Sequence, residues 1–493
     1  MFALALFDDL ALEARVAARG LAEYMRGGAL RLGVTGLSRA GKTVFITSLV
    51  HNLTRGGRLP VFRVQAEGRL LSASLDPQPD DHVARFAYEE HLAALTGGAE
   101  GAAARHWPSS TTEESELRLT LEFERRDGWR AGPSKLHIDI FDYPGEWLLD
   151  LPLLTKSYAQ WSRETMEASA AAARAPLAAD WRGFLTTLDP AAPALEDNAR
   201  KSAALFTSYL RAARDERYAL STLPPGRFLL PGAYKDSPLL AFSPLPIPEG
   251  AEIVEGSLAA MMERRYESYK SRVVKPFFVD HFSRLDRQIV LVDVLSALNS
   301  GPTAVRDLET ALAGVLPAFR VGSSSLLSRV FRPRIDKILF AATKADHLHH
   351  ASHDRLEAIL RTLVARAIAR TETLGGAIDV VALAGARATR EASVKQGRET
   401  LDAIVGAPMA GERVNGEVFD GDAEVAIFPG ELPADPRAVF RGDGLAAADA
   451  DADYRFVKFR PPVAKLDESG LAAPLPHIRM DRALQFLVGD KLK

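Results

Sequence analysis

The chain of 493 residues contains no cysteine. That excludes a disulfide framework, a thiolate metal site and a cysteine nucleophile, and it fits a reducing compartment. There is no excess of either charge: 61 Lys and Arg stand against 64 Asp and Glu, a net of −3. No global field therefore points to nucleic acid or to an acidic membrane, and none is expected as a partner on that ground. No run approaches the roughly 18 apolar residues of a membrane span. The opening "MFALALFDDLALEARVAARGLAEYMRGG" lacks a basic leader and mixes charge with apolar residues at helical spacing. It predicts an amphipathic helix over 1–27 in place of a signal peptide. The expected setting is cytoplasmic, at most peripheral to a membrane.

What is present is a hydrophobic content of 47%, enough for the cores of about two to four domains. The run "LRLGVTG" is a short β-rich segment, "GLSRAGKT" (36–43) has the form G-x-x-x-x-G-K-[ST], and "KTVFITSLVHNLTRGG" has helical periodicity with a glycine stop. Strand, loop and helix in that order are what the loop needs in order to wrap phosphates. Residues 58–115 are polar and irregular, with one helical patch around "HVARFAYEEHLAAL". "ELRLTLEFERRDG" alternates Leu117, Leu119, Leu121 and Phe123 with polar neighbours, the period of a half-buried strand. It is expected to pair, hairpin-like, with "SKLHIDIF" beside the loop strand.

Three long helical texts, "SYAQWSRETMEASAAAARAPLAADWRGFLTTL", "ALEDNARKSAALFTSYLRAARDERYAL" and "AAMMERRYESYKSRVVKPFFVDHFSRL", then surround a Pro-rich stretch. The β/α rhythm resumes with "RQIVLVDVL", "DKILFAAT" and "AIDVVALAG", apolar strands alternating with helices, which implies a parallel sheet covered on both faces. The expected fold is an α/β P-loop GTPase-type three-layer sandwich with an inserted helical domain and a small C-terminal α+β extension. The sandwich occupies 28–149 and 286–400, the helical insert 150–285, and 401–493 supplies strands and a helix packed on the core.

In such a loop, Ser38, Arg39, Ala40 and Gly41 present backbone N–H groups to phosphate. Lys42 reaches the β- and γ-phosphates, and Thr43 gives its hydroxyl to Mg²⁺. Asp142, after "KLHIDIF", is the acid expected to hold Mg²⁺, with Asp139 a poorer rival inside the strand. Asp142-Tyr143-Pro144-Gly145 matches D-x-x-G, whose glycine N–H can sense a γ-phosphate. Either Thr111 or Thr112, in "WPSSTT", is the hydroxyl that joins Mg²⁺ when a switch loop closes. Trp107 either packs on the nucleotide or anchors the loop.

"TKAD", 343–346, caps the strand "DKILFAA". The Asp346 carboxylate can accept two hydrogen bonds, from guanine N1–H and from the amino group that adenine lacks, while Lys344 lies over the ring. Thr343 stands where Asn is usual. Gly385 and Ala386 offer a backbone N–H to the guanine O6, and His347 is near enough in sequence to touch the nucleotide. The histidines at 347, 349, 350 and 353 do not share one helical face, so a zinc site is not expected. Two residues bear on rate. Glu146 orients water or is a solvated loop acid, and Arg39 is an arginine finger supplied in cis or a surface ion pair.

The ordered set "GLSRAGKT", "WPSSTT", "DYPGEW", "RQIVLVDVL", "TKADH" and "HIRMDRALQFLVGDKLK" resembles the YcjX-like family of bacterial stress-associated P-loop GTPases along nearly the whole chain. The resemblance implies binding of GTP or GDP with Mg²⁺ and a link to envelope or general stress. It puts phosphate contacts on Arg39, Ala40, Gly41, Lys42 and Thr43, switch contacts around Trp107, Ser110 and Thr111, and base contacts on Lys344, Asp346, His347 and Ala386. The loop is also similar, over a short stretch, to that of guanylate-binding proteins and atlastins, whose loop arginine acts in cis. An unidentified protein partner at the inner membrane and a nucleotide-dependent homodimer are open expectations. The competing readings are an ATPase or phosphotransferase, and a nucleotide-stabilised scaffold with negligible turnover.

Overall fold

The computed structural model describes residues 29–37, 39–126, 132–315, 335–365, 368–369, 376–396, 399–414, 416–441, 456–468 and 470–493. The helix expected over 1–27 and Ser38 lie outside them. A central sheet has the strand order β2-β4-β5-β1-β6-β7-β8, with β3 paired to β4. The strands are β1 (Leu30–Gly36), β2 (Leu70–Asp76), β3 (Ala84–Arg85), β4 (Ser115–Arg125), β5 (Gly132–Asp142), β6 (Arg287–Val292), β7 (Lys337–Ala342) and β8 (Ala377–Ala382). From β5 through β1, β6 and β7 to β8 every pairing is parallel, while β4 is antiparallel to β5 and to β2.

Alternation along the strands divides the core between two faces. In β6, Val290 and Val292 enter one apolar cluster and Ile289 and Leu291 the other. The second cluster is covered by the loop helix Lys42–Thr54 and by the C-terminal helix Met480–Val488. The first is continuous with the helical part between β5 and β6, including Trp161, Trp181, Phe206 and Tyr266. The result is a three-layer α/β sandwich of P-loop GTPase type whose helical insert shares its core with one face of the sheet.

Three local departures from expectation have physical causes. Within the stretch expected to be irregular, "LLSASLD" forms edge strand β2, half-exposed on both faces, so its apolar residues never alternate cleanly. The first long helical text is broken into Tyr158–Ala170 and Ala179–Leu185, with Pro176 in the gap, where it cannot continue a helix. The segments Arg390–Gln396 and Glu399–Gly406 pair as an antiparallel hairpin that charged residues concealed. Among the described residues no helix is long and apolar enough to cross a membrane.

Candidate nucleotide site

Parallel register brings the strand ends to one level: Gly36 lies opposite Leu291, and Ala342 lies between Val292 and Ala382. Loops leaving carboxyl ends of parallel strands form the crevice of an open α/β sheet. A cavity of about 300 Å³ occupies it. The loop from β1 enters with Arg39 in the left-handed region (φ 58°) and Gly41 at φ 77°, and the helix starts at Lys42. A non-glycine residue held at positive φ stores strain where a ligand loop needs its amides aimed. No described side chain caps that helix, which leaves its first N–H groups for an anion.

Arg39, Ala40, Gly41, Lys42 and Thr43 line the cavity, as do Trp107, Ser110, Thr111, Glu146, Lys344, Asp346, His347, Gly385 and Ala386. At one end the Thr111 hydroxyl donates to Asp142 Oδ2 (2.8 Å), and the Thr43 and Thr111 hydroxyls are 3.3 Å apart. Of the two candidate threonines, it is Thr111 that meets the acid. Asp142 is buried, its other carboxylate oxygen has no hydrogen-bond partner among the described residues, and Lys42 acts on it through its charge. Burial pushes its carboxyl above the usual range, against the pull of Lys42 and Thr111. A buried carboxylate with an orphaned oxygen beside two hydroxyls is a donor set suited to a hard divalent cation such as Mg²⁺. Asp139, in contrast, is engaged by Arg118 through two hydrogen bonds of 2.6 and 2.8 Å.

Gly145 does not line the cavity. It lies against the loop, where an added Cβ would come within 1.9 Å of the Gly36 carbonyl oxygen. Glu146 is buried rather than solvated and pairs with Arg214, from the end of the insert's helix Glu196–Arg214. The backbone around Glu146 is clamped by the segment 226–230. A Cβ on Gly226 would meet the Glu146 carbonyl at 1.8 Å, the Trp147 indole donates to the Leu230 carbonyl (3.0 Å), and the Arg227 guanidinium lies 3.2 Å from the Trp147 ring. Buried Asp150 accepts from the Gly226 amide (2.7 Å) and the Tyr269 hydroxyl (2.6 Å), and burial raises its carboxyl to about 6.

At the other end, Asp346 is buried, and its Oδ2 accepts from the Ala388 amide (2.9 Å). Thr343 donates its amide (3.0 Å) and hydroxyl (3.3 Å) to the Val292 carbonyl, so it fastens two strand ends together. Lys344, at φ 60°, pairs with Asp293 at the end of β6. Burial works against ionisation of Asp293, but Lys344 and the Ser296 hydrogen bonds hold its carboxyl below the usual range. Gly385 meets Phe45 so closely that an added Cβ would touch its Cα at 3.0 Å. His347 is buried edge-on to Phe459 at 5.3 Å, and burial lowers its imidazole. The Trp107 indole donates to the Phe459 carbonyl (2.7 Å), so this ring both anchors its loop and lines the cavity.

Arg39 pairs with Glu216, which also pairs with Lys458; both partners line the cavity. Sequence reasoning missed Arg214, Glu216, Lys458 and Asp293. Only Asp293 carried a local signal, an acid after a β-rich run, the argument that found Asp142. The structure also brings Glu391 to His349 and His350, a group able to hold a metal ion. Glu391 is already engaged by His350 (2.7 Å) and Arg387 (3.2 Å), however, and His350 is largely in solvent, which describes a hydrogen-bonded network as it stands.

Comparison with known proteins identifies the family. A model of the YcjX-like family, DUF463, matches residues 30–492. The Ras-like GTPase YcjX of Escherichia coli (strain K12) is 40% identical over 476 residues, covering 94% of this chain and 96% of that protein. The protein of the same name from Shewanella oneidensis (strain MR-1) is 36% identical over 488 residues, covering 94% and 95%. The chain belongs to the YcjX-like family.

Proposed function

We propose that the protein is a Mg²⁺-dependent GTP-binding and GTP-hydrolysing switch. The observation that carries this reading is the joining, in one cavity, of Thr43 and Thr111 beside Asp142 at one end and of Asp346 at the other. The names of the two relatives support the same class. Lys42 and the amides of 39–43 would bind the β- and γ-phosphates, and Thr43, Thr111 and Asp142 would hold Mg²⁺. When bound, that ion would neutralise charge on the β- and γ-oxygens. Asp346 would select guanine, with His347 and Ala386 flanking the base. Glu146 would orient the attacking water, and Arg39 would bring positive charge to the γ-phosphate.

Residues 150–285 would read the nucleotide state, because the contacts of 226–230 on Glu146 and Trp147 tie that part to the D-x-x-G segment. A protein partner and a role in stress, which the family resemblance implies, would set the cellular context. The test is calorimetric titration of the full chain with GTP, GDP and ATP, with and without Mg²⁺, together with phosphate release. Guanine-selective binding and Mg²⁺-dependent turnover are expected; equal, tight binding of ATP and GTP would sink the guanine assignment.

A further inference from the structure

Both side chains expected to act on the γ-phosphate are held by one turn of the insert. Arg214 pairs with Glu146, and two residues later Glu216 pairs with Arg39. Arg39, Glu146, Arg214, Glu216 and Lys458 all line the same cavity. The turn is fixed independently of these pairs. Tyr218 and Ala219 donate their amides to the Asp215 carbonyl (3.0 and 2.8 Å), Arg217 donates its amide to Asp215 Oδ1 (3.1 Å), and the Ser300 hydroxyl donates to the Glu216 carbonyl (3.3 Å).

We propose that the Arg214–Glu216 turn is a two-sided clamp: Arg214 positions Glu146, while Glu216 withholds Arg39 until a γ-phosphate competes for it. The inference rests on the GTPase reading above. The two halves differ in strength for a physical reason. Glu146 is 5% exposed, and removing the cation from a buried carboxylate leaves an uncompensated charge. The Arg39 and Glu216 side chains are each 46% exposed, and an exposed pair is a weak fastening. A γ-phosphate carries more charge than a carboxylate and accepts a guanidinium bidentately, so it can take Arg39 from Glu216. Glu216 is not stranded by the exchange, because Lys458 remains paired with it. GDP has no γ-phosphate and leaves the clamp shut.

The test uses the full chain with Mg²⁺, measuring GTP and GDP affinity by fluorescent-nucleotide displacement and phosphate release at steady state. Glu216→Gln is expected to raise GTP affinity about 2- to 5-fold while GDP affinity stays within 2-fold. Arg214→Ala is expected to lower kcat about 10-fold or more with KM within 3-fold, and Arg214→Lys to recover part of that loss. A GTP-to-GDP affinity ratio in Glu216→Gln equal to wild type overturns the withholding of Arg39. Wild-type kcat in Arg214→Lys together with Arg214→Ala, or a change in KM alone, overturns the positioning of Glu146. Failure of the wild type to bind GTP would sink the parent reading instead, so the two failures are distinguishable.

Discussion

The two ends of the cavity are held by different means. At the end proposed for the base, Asp346 itself is fastened to backbone and beside it Lys344 pairs with Asp293: the Ala388 amide donates to the Asp346 carboxylate, the Thr389 hydroxyl donates to the Asp346 carbonyl, and His353 bonds the Ala345 carbonyl (2.8 Å). At the phosphate end it is side chain on side chain between distant segments: Thr111 on Asp142, Arg214 on Glu146, Glu216 on Arg39. Groups tied to the backbone keep a single geometry. Groups tied by long side chains can exchange partners. On the proposed function, selecting a base would call for the first and turning over a phosphate for the second.

The comparison can be broken most severely at Lys42. Lys42→Ala is expected to weaken GTP and GDP binding about 100-fold or more, read by calorimetry, because a charged partner is lost from the anion site. Asp346→Asn tests the base end alone: GTP affinity is expected to fall about 10- to 100-fold with no gain for ATP. Gly145→Ala forces a Cβ into the Gly36 carbonyl at 1.9 Å. The two backbones must separate, and phosphate release is expected to fall about 10-fold while the guanine preference measured by competition survives.

The smallest effect is at Glu116 of β4, which does not line the cavity. Burial, with Asp139 nearby, raises its carboxyl from 4.5 to about 7. A folded-state value above the unfolded one gives stability that is complete below pH 4.5 and is lost as pH rises through about 7. Glu116→Gln removes that titration. Its melting temperature relative to wild type is expected to climb by about 2–5 °C between pH 5 and pH 8, read by calorimetric scans.

Local chemistry was legible in the sequence, and tertiary convergence was not. The loop, Asp142 and Asp346 each sit at or just beyond the carboxyl end of a strand, and Thr43 lies in the first turn of the helix after the loop, so neighbours in the chain define their setting. Asp293 obeys the same rule and was passed over because it carries no familiar motif around it. Arg214 reaches Glu146 across 68 positions, and Lys458 reaches Glu216 across 242. Both lie in charged text, where nothing marks one residue from the next. The edge strand β2 was hidden by half-exposure on both faces, and the helix break by an alanine-rich run in which Pro176 was the only cue.

The core shared by the helical insert and the sheet decides which motions are open to the molecule. Phe141, Tyr143 and Trp147, at and beyond the end of β5, touch Phe277, His281 and Phe282 ring to ring at 4.9 to 6.3 Å. Swinging the insert outward like a lid would wet those rings, each burying about 150–250 Å² when it is an aromatic side chain of this size. Sliding keeps them dry. A shear of the insert along the sheet face, by a fraction of a side chain, would alter the contacts at residues 214–216 and 226–230 together while leaving the apolar seam closed.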